Sequence, residues 1–270
     1  MAETQQVVRR GLLPTHTARR ILRDFHERGL EPGDGLADEA TLIKRYEVSR
    51  GTLREALRLL TFLGAVTVKA GPNGGPRLAT PGPDVVASAM GMVVQFRGAT
   101  LRSVFEARIA VEPAVAALAA AHRTEHDLVL LDDSVDALRR AQRVRGPEYA
   151  VHSGRYHLRV AEAAHNDVLA TIVPALATMT TTVRWRFPRG SRAELTRRIA
   201  EAVEAIRGQD EAAASTTTRA MIEWLVGEIE TQQRTVLDSP ILWPDVDEVL
   251  AEQRSGGPAA EPAEARPKVG

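Results

Sequence analysis

Arg50 and Arg54 fall in the run Val48-Ser49-Arg50-Gly51-Thr52-Leu53-Arg54. A planar guanidinium matches guanine O6 and N7 through two parallel hydrogen bonds. Arginines at the exposed start of a helix are therefore suited to reading base edges in the DNA major groove. Ser49 is placed to cap such a helix over Arg50–Leu63. Leu53, Ala56, Leu57 and Leu60 give it one apolar stripe, which leaves Arg50, Gly51, Thr52 and Arg54 on its outward, N-terminal side. Downstream, Val66-Thr67-Val68 alternates as a strand, Asn73-Gly74 is a tight-turn signal, and Arg77-Leu78-Ala79 can return. Lys69 and Arg77 flank this hairpin where phosphates would lie, and Gly71, Gly74 and Gly75 keep its tip slim. The same spacing also suits an ordinary three-helix unit that never touches DNA.

A second group of residues points to ligand binding. Arg108 and His157 each sit among apolar neighbours on a helical face. A buried polar group without a partner is costly, and a carboxylate-bearing effector would supply one. His122, His152 and His165 read as ordinary bundle or surface histidines. Catalysis is not expected: no nucleophile or phosphate-binding loop is present, and no carboxylate is spaced to orient His157 as a general base. The chain has no cysteine, which excludes disulfides, thiolate chemistry and cysteine-ligated metals.

The elements that must position these residues are mostly helical. Ala, Leu, Val, Glu and Arg dominate, and aromatics are only 4%, a bias towards helices over sheets. A first helix is expected over His16–Arg28, with Ala18, Ile21, Leu22 and Phe25 on its buried face. Asp38 is expected to cap a short second helix through Thr41, Leu42 and Ile43, with Val48 as a buried pin before the third. Further helices are expected over Leu101–Ala121, Glu125–Arg143, Tyr149–Ala164, Asp167–Val183, Arg192–Arg207 and Asp210–Gln233. This gives a mainly α protein in which an N-terminal winged helix-turn-helix is joined to a C-terminal antiparallel all-helical bundle. The expected divisions are a flexible arm over 1–13 and a winged helix over 14–80. A linker with a first connecting helix follows over 81–100, opened by Thr80-Pro81-Gly82-Pro83. The effector-binding bundle covers 101–235, and an extension with a disordered tail covers 236–270.

Net charge is zero, but residues 1–80 carry 13 Lys and Arg against 9 Asp and Glu. DNA affinity follows the local field of the contacting face rather than the whole-chain sum, so the zero does not exclude DNA. No stretch approaches the roughly 18–20 apolar residues of a membrane span, and no signal-peptide pattern opens the chain. The expectation is a cytoplasmic protein with no membrane partner.

Pro32-Gly33-Asp34-x-Leu36-x-Asp38-Glu39, the run from Val48 to Leu60 (VSRGTLREALRLL), and Gly64-Ala65-Val66 occur in that order. Together they resemble the winged helix of GntR-type bacterial transcription regulators. By that resemblance Arg50 and Arg54 are the main base readers, and Ser49, Thr52 and the wing around Gly71 serve backbone or groove contacts. The family's usual arginine after the helix-2 glutamate is replaced by Ala40, which puts the operator sequence in doubt more than the DNA binding. Phe105-Glu106-x-Arg108-x-x-x-Glu112-Pro113, Tyr156-His157-x-x-x-Ala161-x-Ala163-x-x-Asn166 and Ala205-Ile206-Arg207-x-x-Asp210-x-x-Ala213 resemble the FCD effector-binding domain of the FadR subfamily. The two resemblances cover roughly residues 15 to 232.

Most FCD domains hold a divalent metal through an aspartate, the histidine four residues later and two further histidines. The corresponding positions here are Ser153, His157, Ile199 and Met221, and one imidazole with a hydroxyl, an aliphatic chain and a thioether will not hold zinc or nickel. The resemblance therefore implies a homodimeric regulator of double-stranded operator DNA with no metal and no cofactor. Its effector is expected to contact Arg108, Ser153, His157, Asn166, Ile199 and Met221. With two ligands replaced by Ile199 and Met221, the expected effector is a hydrophobic acid, such as a fatty acid or acyl-CoA. The alternatives are a small hydroxy acid or sugar acid, or a constitutive DNA-binding protein with a decayed sensor.

Overall fold

The computed structural model describes residues 2–69, 75–144, 148–180, 183, 187–188 and 190–243, with side chains from Leu13 onward. The chain divides into two units, Met1–Val85 and Val86–Gly270.

The first unit contains α1 (Ala2–Glu27), α2 (Glu39–Tyr46), α3 (Arg50–Phe62), and the antiparallel pair β1 (Val66–Lys69) and β2 (Gly75–Leu78), in register Val66↔Leu78 to Lys69↔Gly75. Its core is Ala18, Ile21 and Phe25 of α1, Leu42 and Tyr46 of α2, and Leu53, Ala56 and Leu60 of α3, closed by Ala65 and Val66. Leu57 and Val48 are half-buried against this cluster. Leu22, expected on the buried face of α1, is instead exposed. Ala18, Ile21 and Phe25 already fill the narrow strip that α3 covers, and a residue next to Ile21 lies about 100° round the helix. The expected arm over 1–13 is also corrected, because α1 runs from Ala2 through Pro14. Ala, Gln, Arg and Leu, frequent before Pro14, are good helix formers.

The two short helices are set by their caps. Asp38 accepts from the Thr41 N–H at 2.9 Å, and Ser49 accepts from the Thr52 N–H at 3.2 Å. Glu47 takes a left-handed φ of 54° between α2 and α3, which makes the tight turn. Gly64 sits at φ +68°, a conformation strained for any residue with a Cβ, and a Cβ there would also meet a Val85 methyl at a tight 3.3 Å. The loop after α1 extends the sheet, with Gly33 N–H donating to the Leu78 carbonyl and Leu36 N–H to the Pro76 carbonyl.

A further helix, α4 (Pro83–Phe96), crosses the boundary between the units and begins with proline at its first position, where the missing N–H costs nothing. The second unit is an all-helical bundle of α5 (Leu101–His122), α6 (Glu125–Ala141), α7 (Glu148–Ala163), α8 (Asp167–Met179), α9 (Ser191–Arg207) and α10 (Glu211–Leu237). The apolar α5 is central and packs on α7, α8, α9 and α10. Thr124 and Asp127 form a reciprocal capping box on α6, and Asp210 caps α10. Backbone angles of −146° and 44° at Gln233 kink α10 one turn before its end. Among the described residues no helix is long and apolar enough to cross a membrane.

Leu53 is fully buried where α3 meets α1. We expect Leu53→Ala to lower the stability of the first unit by about 2–5 kcal/mol in urea denaturation. A loss below about 1 kcal/mol would show that the small core repacks around the gap.

Candidate functional site

The start of α3 presents two arginines steered by one carboxylate. Glu39, at the start of α2, lies 3.5 Å from the Arg50 Nε and 3.1 Å from the Arg54 Nε through the same oxygen. Both arginine side chains are largely exposed, so these pairs orient more than they stabilise. Ser49 and Thr52 share a hydroxyl contact at 2.9 Å and are engaged in the cap. Gly51 is exposed, and a Cβ there would meet nothing closer than Ser49 Oγ at 4.0 Å, so this chain does not itself require glycine. Lys69 ends β1 and is exposed. Arg77 is corrected as a phosphate contact: it is half-buried and donates to the Gly33 carbonyl at 2.9 Å, tying the loop after α1 to the sheet. Gly71, Asn73 and Gly74 lie outside the described residues.

A second constellation is buried in the helical unit. Arg108 and Glu112 lie one turn apart on α5, and His157 on α7 closes a triangle with them. The Arg108 Nε donates to Glu112 Oε1 at 2.5 Å, and Arg108 Nη2 lies 2.8 Å from His157 Nε2. His157 Nδ1 lies 2.8 Å from Glu112 Oε2. Arg108, Glu112 and His157 are 5%, 3% and 8% exposed, so water cannot substitute for these bonds. The guanidinium can only donate, which makes His157 Nε2 an acceptor and places the ring proton on Nδ1, facing the carboxylate. A protonated imidazole would set two donors against each other at 2.8 Å.

The charges agree with this tautomer. Burial raises the Glu112 pKa, but the Arg108 charge, with His157, outweighs it and holds the carboxyl well below the usual range, to about 2. Burial pushes His157 below its ordinary 6.5; Glu112 opposes this and Arg108 adds to it. At neutral pH the triad is one cation, one anion and one neutral ring.

Beside it lies a cavity of about 10 Å³, on the order of one water molecule. Glu112, His157, Tyr156 and Thr218 form its polar wall, and three valines from α5, α7 and α8 close the rest. Tyr156 Oη and Thr218 Oγ1 are near one another but out of hydrogen-bond geometry. Both are buried without a protein partner.

Of the expected effector residues, the structure brings Arg108 and His157 together, and only His157 lines the cavity. Ile199 and Met221 are buried in the apolar core, and Ser153 is half-buried one turn before His157 on α7. Asn166 is corrected: it is exposed and its side chain accepts from the N–H groups of Val168 and Leu169, both at 3.1 Å, as the cap of α8. Glu112 overturns the expectation that no carboxylate orients His157, and it is also the partner of Arg108 that an effector was expected to supply. The Arg108…Glu112 spacing of four was visible in the sequence; Tyr156 and Thr218 gave no signal beyond their helices. The site does not fit a divalent metal, because both His157 nitrogens are engaged, one of them by a guanidinium, and Ile199 and Met221 offer no hard or charged donor.

Comparison with known proteins places both halves. Residues 13–72 match the family described as "Bacterial regulatory proteins, gntR family", and residues 103–223 match the "FCD domain". The chain is 29% identical over 140 residues to the HTH-type transcriptional regulator LutR of Bacillus subtilis (strain 168), covering 52% of this chain and 63% of that relative, so under two thirds of it is matched. It is 27% identical over 196 residues to the galactonate operon transcriptional repressor of Escherichia coli (strain K12), covering 71% of this chain and 85% of that one. Among solved structures, Streptococcus agalactiae GntR shares the fold, with a TM-score of 0.62 at 23% identity over 78% of this chain and 98% of that one.

The triad makes a pH prediction. Glu112, with its pKa lowered from 4.5, stabilises the fold above that value and loses the contribution as pH falls towards about 2. His157 stays neutral in the fold, so stability also falls as pH drops below 6.5, where the unfolded chain takes up the proton first. Glu112→Gln should flatten the acid limb of a stability–pH curve. At pH 7 it should cost about 3–5 kcal/mol by leaving Arg108 uncompensated. Wild-type stability at pH 7 in this variant would mean Arg108 finds another anion.

Proposed function

Since the chain belongs to the gntR family of bacterial regulatory proteins and carries an FCD domain, we propose that it is a transcription regulator whose operator affinity is set by a small molecule in the helical unit. The observation that carries the DNA half is the exposed start of α3, where Glu39 aims both arginine forks. On docking in a major groove, Arg50 and Arg54 exchange one shared carboxylate oxygen for guanine acceptors. Gly51 leaves room for a close backbone approach, and Lys69 with the wing, including Gly71, Asn73 and Gly74, meets phosphate. One such helix reads too few bases to pick out a genomic site, so the working species is a homodimer on two half-sites. This reading places the protein in the cytoplasm with its DNA.

The effector is proposed to bind without metal beside the triad. An apolar body is supported by the three valines of the cavity wall and by Ile199 and Met221, which are buried in the core of the same unit. That is the part of the fatty acid or acyl-CoA reading the geometry favours. Its acidic head is less well supported, because Arg108 is already neutralised by Glu112 and an incoming carboxylate would have to displace it. Tyr156 and Thr218 instead offer unused hydroxyls to a neutral oxygen. A cavity of about 10 Å³ admits no such molecule unless α5, α7, α8 or α10 shifts, so occupancy and conformational change are one event. The second reading, a small sugar acid, is favoured by the similarity to the galactonate repressor.

Arg50→Ala combined with Arg54→Ala should lower affinity for a selected duplex by about 30-fold or more while leaving the melting temperature unchanged; retained sequence preference would remove both from the reading surface. Thermal-shift screens with matched chain-length series of fatty acids, acyl-CoAs, alcohols and lactones, and with sugar acids, decide the head group. Stabilisation confined to the acids would overturn the preference for a neutral one.

A further inference from the structure

The segment after α10 forms a strap across the connecting helix α4. Residues 238–243 turn back from the end of α10, and Leu101 N–H donates to the Ser239 carbonyl at 3.0 Å while Ile241 N–H donates to the Ala99 carbonyl at 2.9 Å. Thr100 and Pro240 thereby pair as a short antiparallel bridge. Ile241 is fully buried and joins the core of the helical unit. Arg102 on α5 reaches both Glu230, before the kink at Gln233, and Asp238, after it, each at 3.3 Å. Finally Trp243 straddles α4: its backbone N–H donates to the Gln95 side chain and its indole N–H to the Ser88 hydroxyl, both at 2.7 Å.

Apart from these contacts α4 is seated by small and aliphatic residues: Ala87 belongs to the core of the helical unit, and Val86, Met90 and Val94 pack against that core half-buried. Its buried positions are Ala87, Ser88 and Gly91, all small, whereas Met92, Val93 and Phe96 are 41%, 50% and 88% exposed. The polar pins from Trp243 add two directional contacts to this apolar seat, and α4 is covalently continuous with the DNA-binding unit through Pro83–Val85. At its other end the strap belongs to α10, which contributes Thr218 to the cavity wall.

We propose that residues 238–243 are a latch that ties the kinked end of α10 to α4, so that a shift of α10 at the cavity changes how firmly the connecting helix is held. The latch needs no contact between the effector and α4. Because Ser88 and Gln95 lie two turns apart on one face, a small displacement of the strap loosens both pins together. The step from latch to DNA rests on the regulator reading above; the latch itself does not.

The test is hydrogen exchange on the full chain. The double variant Ser88→Ala, Trp243→Phe removes one pin without leaving an unpaired group, and Gln95→Ala removes the other. Each should accelerate amide exchange in residues 87–96 by about tenfold, with α5 to α9 and the melting temperature unchanged. Unchanged exchange in α4, or acceleration spread evenly over the bundle, would overturn the latch. Adding a duplex that the full chain has recovered from a random-sequence pool should alter exchange in the wild type both in α4 and in residues 234–243. In the double variant the change should stop at α4. A duplex that leaves residues 234–243 of the wild type untouched would overturn transmission through the strap. Failure to recover any duplex would count against the regulator reading, and the first comparison would still decide the latch.

Discussion

The carboxylate of Glu112, wedged between Arg108 and His157, is the interaction on which the helical unit's chemistry depends. It neutralises a cation that could not otherwise be buried at 5% exposure, and it accepts a hydrogen bond from the Nδ1–H of His157, fixing that ring's tautomer. With Nε2 turned to Arg108, His157 has no lone pair left to give. Both ring nitrogens are thus taken up by the chain's own side chains, and the cavity beside them is walled by hydroxyls and valines.

On the DNA side Glu39 plays a comparable part under opposite conditions. Its ion pairs with Arg50 and Arg54 lie in water, where they are weak and screened by salt. For the proposed base readers weakness would be an advantage: the guanidiniums are held at the exposed start of α3 by pairs that cost little to give up. The buried triad restrains its members firmly, and the exposed one lends them.

Much of this architecture was legible because helix caps and apolar stripes are local. Asp38, Ser49 and Asp210 cap where their residue types imply, and the hairpin of β1 and β2 follows from alternation and glycine. What escaped was decided at a distance. Arg77 is drawn to a carbonyl 44 residues away, and His157 pairs with a helix 49 residues earlier in the chain. Asn166 was expected to contact the effector because the block from Tyr156 to Asn166 resembles the FCD domain. Yet it falls one residue past the end of the turn after α7, where an amide is more useful to the exposed N–H groups of α8. A residue's partner is settled by packing, and single-chain periodicity does not carry that information.

The cavity's small size and its two unpaired hydroxyls bear on how such a sensor could switch. A buried hydroxyl with no partner costs about 1–3 kcal/mol, and Tyr156 and Thr218 both carry that cost in the closed bundle. An occupant that satisfies them recovers it only in a conformation wide enough to admit the occupant, so the gain is specific to that state. Changing DNA affinity tenfold requires a coupling of about 1.4 kcal/mol, which is within what the two groups hold. An acid that pulled Arg108 from Glu112 would first have to break the triad, at about 3–5 kcal/mol, before any contact of its own counted. The arithmetic favours an occupant that leaves the salt bridge intact and answers the hydroxyls.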